Sequence, residues 1–171
     1  MNYLKFLLVF VFVGCAGPRT VYDYDDQADF NQYKTFRFFD DIKLPVNEID
    51  AKRIFSQLEN AMTEKGLVYH ENPNIFVDVQ LNQFEAPRNS VGIGFGSYGR
   101  HSGINIGGQI PIDSNTLTKQ FTIDFVDAKN NKLVWRGFYE GNFQNNVEIA
   151  QKEQLYTEAF KKLLSKYPPK K

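Results

Sequence analysis

Apolar and polar residues alternate with a period of two in several stretches, and these predict the strands. Thr20–Tyr24 is the first, with Val21 as its apolar position. Lys34–Phe39 is the second, placing Phe36 and Phe38 on one face and Thr35 and Arg37 on the other. After Pro73, residues Ile75, Val77, Val79 and Leu81 alternate with Phe76, Asp78, Gln80 and Asn82. Leu117–Val126 sets Leu117, Lys119, Phe121, Ile123 and Phe125 against Thr118, Gln120, Thr122 and Asp124, so one lysine shares the register of four large apolar residues. Leu133–Gly141 returns with Leu133, Trp135 and Tyr139 predicted inward, and Arg136 outward within reach of Asp124. Asp127, Asn130 and Asn131 lie between the last two runs and supply turn chemistry, which predicts a hairpin.

Two stretches change period. Ala51, Ile54, Phe55, Leu58 and Met62 fall at three- and four-residue spacing, the stripe of an amphipathic helix. Asn47 is its predicted cap, Asp50 favours the positive end of its dipole, and Gly66 stands where a left-handed terminus belongs. Ile149, Leu155, Ala159, Phe160, Leu163 and Leu164 form a second stripe, with Asn145 or Asn146 as cap and Pro168 and Pro169 as stop. The order predicts an α+β domain over residues 20–167. Its core is one antiparallel-dominated sheet of about five strands with both helices packed on one face. A crossover of the second strand, first helix and third strand would add parallel pairing and make the sheet mixed.

The N-terminal fifteen residues follow neither period. Phe6–Val13 is an unbroken apolar run after Lys5, followed by Gly14 and Cys15, the sole cysteine. Eight residues of helix rise about 12 Å against about 30 Å of hydrocarbon, too short to span a membrane. A positive amino end, a short apolar core and a small residue before the processing point are what a secretory signal requires; an apolar N-terminal element with a buried thiol is the competing reading. Phe12-Val13-Gly14-Cys15 resembles the bacterial lipobox. This resemblance implies removal of residues 1–14, lipid on Cys15 and a tether over 15–19. With Ala16, and no acid, directly after Cys15, it also implies an outer-membrane anchor at the periplasmic face. Several acyl chains would hold such an anchor stably where one would not.

Removing residues 1–14 takes away Lys5 and no acid, so the formal charge moves from zero to −1. That balance offers no attraction to nucleic acid. Sixteen Phe and nine Tyr suit a sheet-rich core. Seven of the twelve glycines fall within residues 90–109. Gly92, Gly94 and Gly96 alternate with Val91, Ile93 and Phe95, and Ile104 and Ile106 follow. No Gly-Lys-Ser/Thr or following helix supports a phosphate loop. The two-residue period instead suggests an extended hairpin arm, which reads either as a tolerated surface loop without a role or as an arm open to close approach by a partner or a second copy.

Candidate chemistry is sparse. His70 and His101 stand without the further ligands that a zinc site needs. Asp23, Asp25 and Asp26 start like a calcium loop, but Ala28 and Lys34 occupy its glycine and bidentate-glutamate positions. No serine has a plausible base, so no triad is expected. The reading is a non-enzyme with no cofactor and no metal.

Val21-Tyr22-Asp23-Tyr24-Asp25, Asp29-Phe30 and Tyr33-Lys34-Thr35-Phe36 follow the candidate lipid cysteine. Gly66-Leu67, Asn72-Pro73-Asn74-Ile75-Phe76-Val77, Asp127 and Leu133-Val134-Trp135-Arg136-Gly137 come later. In these pieces the chain resembles the domain of unknown function 4136 family, lipoproteins of Gram-negative envelopes, in which an acid usually occupies the position of Asn74. The resemblance implies an α+β envelope domain without an established activity. The expected function is therefore a non-enzymatic binding or assembly module, docking an envelope protein or a second copy through its sheet face or glycine-rich arm. The alternative is a lipid or small-molecule carrier using an apolar groove between sheet and helices.

Overall fold

The computed structural model describes residues 17–85, 116–144 and 146–170. Residues 1–14, Cys15, Asn145 and the arm residues Gly92, Ile93, Gly94, Phe95, Gly96, Ile104 and Ile106 lie outside the described residues. The elements run β1 (Arg19–Tyr24), β2 (Thr35–Phe38), α1 (Glu48–Glu64), β3 (Val68–Tyr69), β4 (Ile75–Glu85), β5 (Thr116–Asp127), β6 (Lys132–Gln144) and α2 (Ile149–Leu163). They form one sheet in the order β1-β6-β5-β4-β2-β3. β2 pairs parallel with β3 and β4, and every other pairing is antiparallel. The fold is α+β with an open mixed sheet, so the parallel crossover of β2, α1 and β4 is present. The sixth strand, β3, has two exposed residues and is too short to show alternation; it is held by pairing Thr35 with Val68 and Phe36 with Tyr69.

Both helices cover the face bearing Phe36, Ile75, Val77, Phe121, Ile123, Phe125 and Trp135, all fully buried. Phe38 meets Phe55 of α1 at 5.1 Å between ring centroids, and Phe121 meets Phe160 of α2 at 5.0 Å, both edge to face. α1 starts as predicted, with Asn47 Oδ1 accepting from the Asp50 N–H at 2.9 Å. It ends at Gly66, whose φ of 83° lets its N–H reach Thr63 O and the Leu67 N–H reach Met62 O. Two otherwise orphaned carbonyls are thereby satisfied.

Two expectations about side chains are corrected. α2 begins after Glu148, which makes no side-chain cap bond, so Asn146 does not cap it. Ile149 is consequently 61% exposed, and the buried stripe is Tyr156, Ala159, Phe160 and Leu163. In β6, Leu133 is exposed, not inward. Phe125 pairs with Trp135 while Val126 pairs with Leu133, so Val134 is an extra residue. One extra residue turns every earlier side chain to the opposite face. The β5–β6 hairpin itself forms, and Asp127 Oδ1 ties its turn by accepting from the N–H groups of Lys129 and Asn130.

On the face away from the helices, Arg136 grips Asp124 through Nε at 2.7 Å and Nη2 at 2.5 Å. At the β2–β4 junction, Asn74 Oδ1 accepts from the N–H groups of Lys34 and Thr35 and from Thr35 Oγ1. The two sheet ends differ. Tyr24, Trp135 and the β5–β6 turn lie at one end; Arg19, Glu85, Thr116 and Gln144 lie at the other.

Candidate binding pocket at one end of the sheet

Lys119 sits on the helix-covered face of β5 because the alternation that turns Phe121 and Ile123 inward turns it inward too. Its exposure is 7%. Few lysines are buried so deeply without an acid in contact, and Nζ here donates instead to Tyr156 Oη at 2.7 Å. It also lies 5.0 Å from the centre of the Tyr156 ring and 5.4 Å from that of Phe143, close enough for a cation–π attraction to each. Burial pulls the ammonium below its usual pKa. The charge of Lys152 acts in the same direction, and that of Asp50 opposes both. Burial, with Asp50 nearby, pushes the Tyr156 phenol up to about 12.

These groups line a cavity of about 270 Å³ between the sheet and the beginnings of both helices. Its polar wall comes from Asn47 and Asp50 of the α1 start, Gln83, Gln144, Lys119 and Lys152; Val46, Leu117, Phe143 and Leu155 supply apolar surface. Asp50 is already engaged. Arg53 Nη1 reaches it at 2.9 Å, Lys152 Nζ lies 3.3 Å from each of its oxygens, and Asn47 Nδ2 donates to it at 3.2 Å. Burial alone would raise the Asp50 pKa, but the bonds from Arg53, Lys152 and Asn47 hold it below the ordinary carboxylate value. Arg53 in turn reaches Glu153 at 3.6 Å. The cavity lies between sheet and helices at one sheet end, and its lining is charged and polar as well as apolar, where the carrier alternative expected an apolar groove.

Sequence reasoning placed Lys119 among inward residues but drew no site from it, and it missed Tyr156 as a buried residue. The available signal was a lysine in step with Leu117, Phe121, Ile123 and Phe125. The acids Asp23, Asp25 and Asp26 are not brought together as ligands: Asp23 Oδ1 accepts from the Tyr24 N–H and Asp25 Oδ1 from the Gln27 N–H. Among the described residues, no three His, Cys, Asp or Glu side chains are grouped to hold a metal ion. His70 Nδ1 accepts from the Asn72 N–H. No helix among the described residues is long and apolar enough to cross a membrane.

Sheet order and helix placement define an α+β domain with a six-stranded mixed sheet, covered by two helices on one face and carrying no helix on the other among the described residues. The chain belongs to the domain of unknown function 4136 family, whose model matches residues 20–169. No curated protein matches it. Among solved structures it is similar to a PDZ domain protein from Parabacteroides distasonis, with 15% identity and a TM-score of 0.52. That match covers 91% of this chain, which spans 37% of the larger protein. It is also similar to the PelC dodecamer from Paraburkholderia phytofirmans, with 12% identity and a TM-score of 0.53 over 86% of this chain and 95% of that one. At such identities the likeness is one of fold.

Proposed function

We propose that this chain is a non-enzymatic binding module of the bacterial cell envelope, held at the periplasmic face of the outer membrane by lipid on Cys15. The observation that carries the reading is the N-terminal pattern: an apolar run too short to span a bilayer, then Gly14, Cys15 and a tether leading directly into β1. The test is metabolic labelling with palmitate. Wild-type protein takes up label and fractionates with the outer membrane, whereas Cys15→Ser takes up none; retained label on the variant refutes the anchor.

The binding partner in this reading is a second copy of the chain or another envelope protein. Two features support it: a sheet face that carries no helix among the described residues, and a glycine-interleaved segment joining paired strands β4 and β5. The PelC structure, with the same fold over nearly its whole length, is a dodecamer. Self-association is the form of the proposal this favours. Deleting Val91–Gly108 then removes cross-linked oligomers of the full-length protein in cells, and an unchanged ladder takes the arm out of the mechanism. The carrier reading draws its own support from the cavity beside Lys119.

A further inference from the structure

The cavity beside Lys119 has donors and positive charge left over. The Lys119 ammonium carries three N–H groups, and among the described residues its sole hydrogen-bond acceptor is Tyr156 Oη. Because Oη accepts that bond, the phenol proton of Tyr156 also has no acceptor among them, although Tyr156 is fully buried. A buried donor without an acceptor is costly, on the order of 1–3 kcal/mol. The rings of Phe143, Phe121 and Phe160 pack around these groups, and both groups line the cavity.

The charges point the same way. Asp50 and Glu153 engage Arg53 and Lys152, which leaves the charge of Lys119 without a counterion in contact among the described residues. Asp50 attracts it from a distance and Lys152 repels it. One added negative charge neutralises the group, whereas a dianion would reverse its sign. The cavity also lies at the start of α1, where the helix dipole favours an anion. Its volume of about 270 Å³ falls just below the ~300 Å³ at which pockets for drug-sized ligands begin. The apolar walls of Val46, Leu117, Phe143 and Leu155 can take a body that is not hydrated.

We propose that this cavity binds a small amphipathic carboxylate, whose head group accepts from Lys119 Nζ and Tyr156 Oη and whose apolar body lies against Leu117, Phe143 and Leu155. This site is independent of the anchor and of any docking arm, so it stands or falls separately from them.

Hexanoate is the probe, titrated calorimetrically into full-length protein held in amphipol, with empty amphipol subtracted. The neutral analogue 1-hexanol and the variant Lys119→Met are the comparisons. Hexanoate is expected to saturate with a Kd of about 1 mM or tighter, Lys119→Met to weaken it at least about tenfold, and 1-hexanol to give no saturable heat. Three results overturn the proposal: no saturable hexanoate binding to the wild type, equal binding by Lys119→Met, or 1-hexanol binding as tightly as hexanoate. Should Lys119→Met fail to fold, the two ligands on the wild-type protein decide the question alone.

Discussion

Gly137 is where the packing of this domain is least forgiving. It follows Trp135 by two residues on β6, so both face the helices, and the indole folds back across the glycine. A Cβ at Gly137 would stand 2.3 Å from Trp135 Cη2 and 2.7 Å from Leu163 Cδ2. Ordinary contact requires about 3.5–4 Å, so the indole would have to retreat by more than an ångström. It has nowhere to go. Trp135 is fully buried, with Phe125 at 4.9 Å and Tyr167 at 5.5 Å between ring centroids. Overpacking of this kind costs about 1–3 kcal/mol, and the closed surroundings put Gly137→Ala at the upper end. Removing a glycine from a strand returns about 0.5–1 kcal/mol through the unfolded chain. The expected net loss is about 2 kcal/mol, a fall in Tm of roughly 4–8 °C for a domain of this size. Trp135 is the chain's single tryptophan, so its fluorescence reports unfolding from the perturbed site itself. A Tm within about 1 °C of wild type refutes the steric account. A double-mutant cycle sharpens it: in a Trp135→Leu background, Gly137→Ala should cost at least ~1 kcal/mol less, and additive losses would show that the indole is not the obstacle.

Two further outcomes follow from polar groups. Asn74→Ala removes the acceptor shared by Lys34, Thr35 N and Thr35 Oγ1 and should cost about 1–2 kcal/mol in urea unfolding. Asn74→Asp keeps the acceptor and adds charge, so it should match or exceed wild type at pH 7 and lose that parity as the carboxylate protonates; an aspartate variant as unstable as alanine at pH 7 refutes this role. Lys119→Met replaces a buried ammonium by an apolar chain and should stabilise the domain at pH 7 by about 1 kcal/mol. The folded-state pKa of Lys119 lies below its unfolded value of 10.5. The charged form therefore penalises the folded state at pH below the folded pKa, and the penalty fades as pH rises to 10.5. The variant's advantage should shrink over that window. Tyr33 and Tyr156, both raised to about 12, contribute stability that is lost between pH 10 and 12 in either protein. An advantage that does not change with pH, or a destabilised variant at pH 7, counts against the desolvation account.

The structure gives Asn74 a role that an acid at the same position would also fill. Its oxygen pins the first residues of β2 to β4, work that a carboxylate does at least as well as an amide. That role was not legible in the chain, because Lys34 and Asn74 are forty residues apart and no local pattern links them. The strands and α1 were legible because a core on one side imposes a period on every element it touches. The bulge at Val134 was not: alternation through Leu133 and Trp135 looks regular, and the pairing with β5 decides which of them is out of step. Lys119 was visible in its register but unremarkable until Tyr156 was placed opposite it. The α2 stripe misled at Ile149 because a first-turn residue can be apolar without meeting the core.

The register of the sheet gives the proposed anchor a direction. β1 leaves the tether at Arg19, which pairs with Glu140, two residues along β6 from Asn142 and four from Gln144. From Cys15 to Arg19 the chain spans at most about 14 Å when fully extended. Lipid on Cys15 would therefore hold the Arg19–Gln144 end of the sheet within a headgroup's depth of the bilayer and turn the Trp135 end outward. The pocket residues Leu117, Lys119 and Phe143 belong to the same end of the sheet, as do Glu85 and Thr116, which flank the glycine-rich segment, so with the proposed anchor in place that end would be the one nearer the bilayer. A domain tethered this way would look down at its own membrane, and a small amphipathic carboxylate leaving the lipid would meet Lys119 before reaching open periplasm.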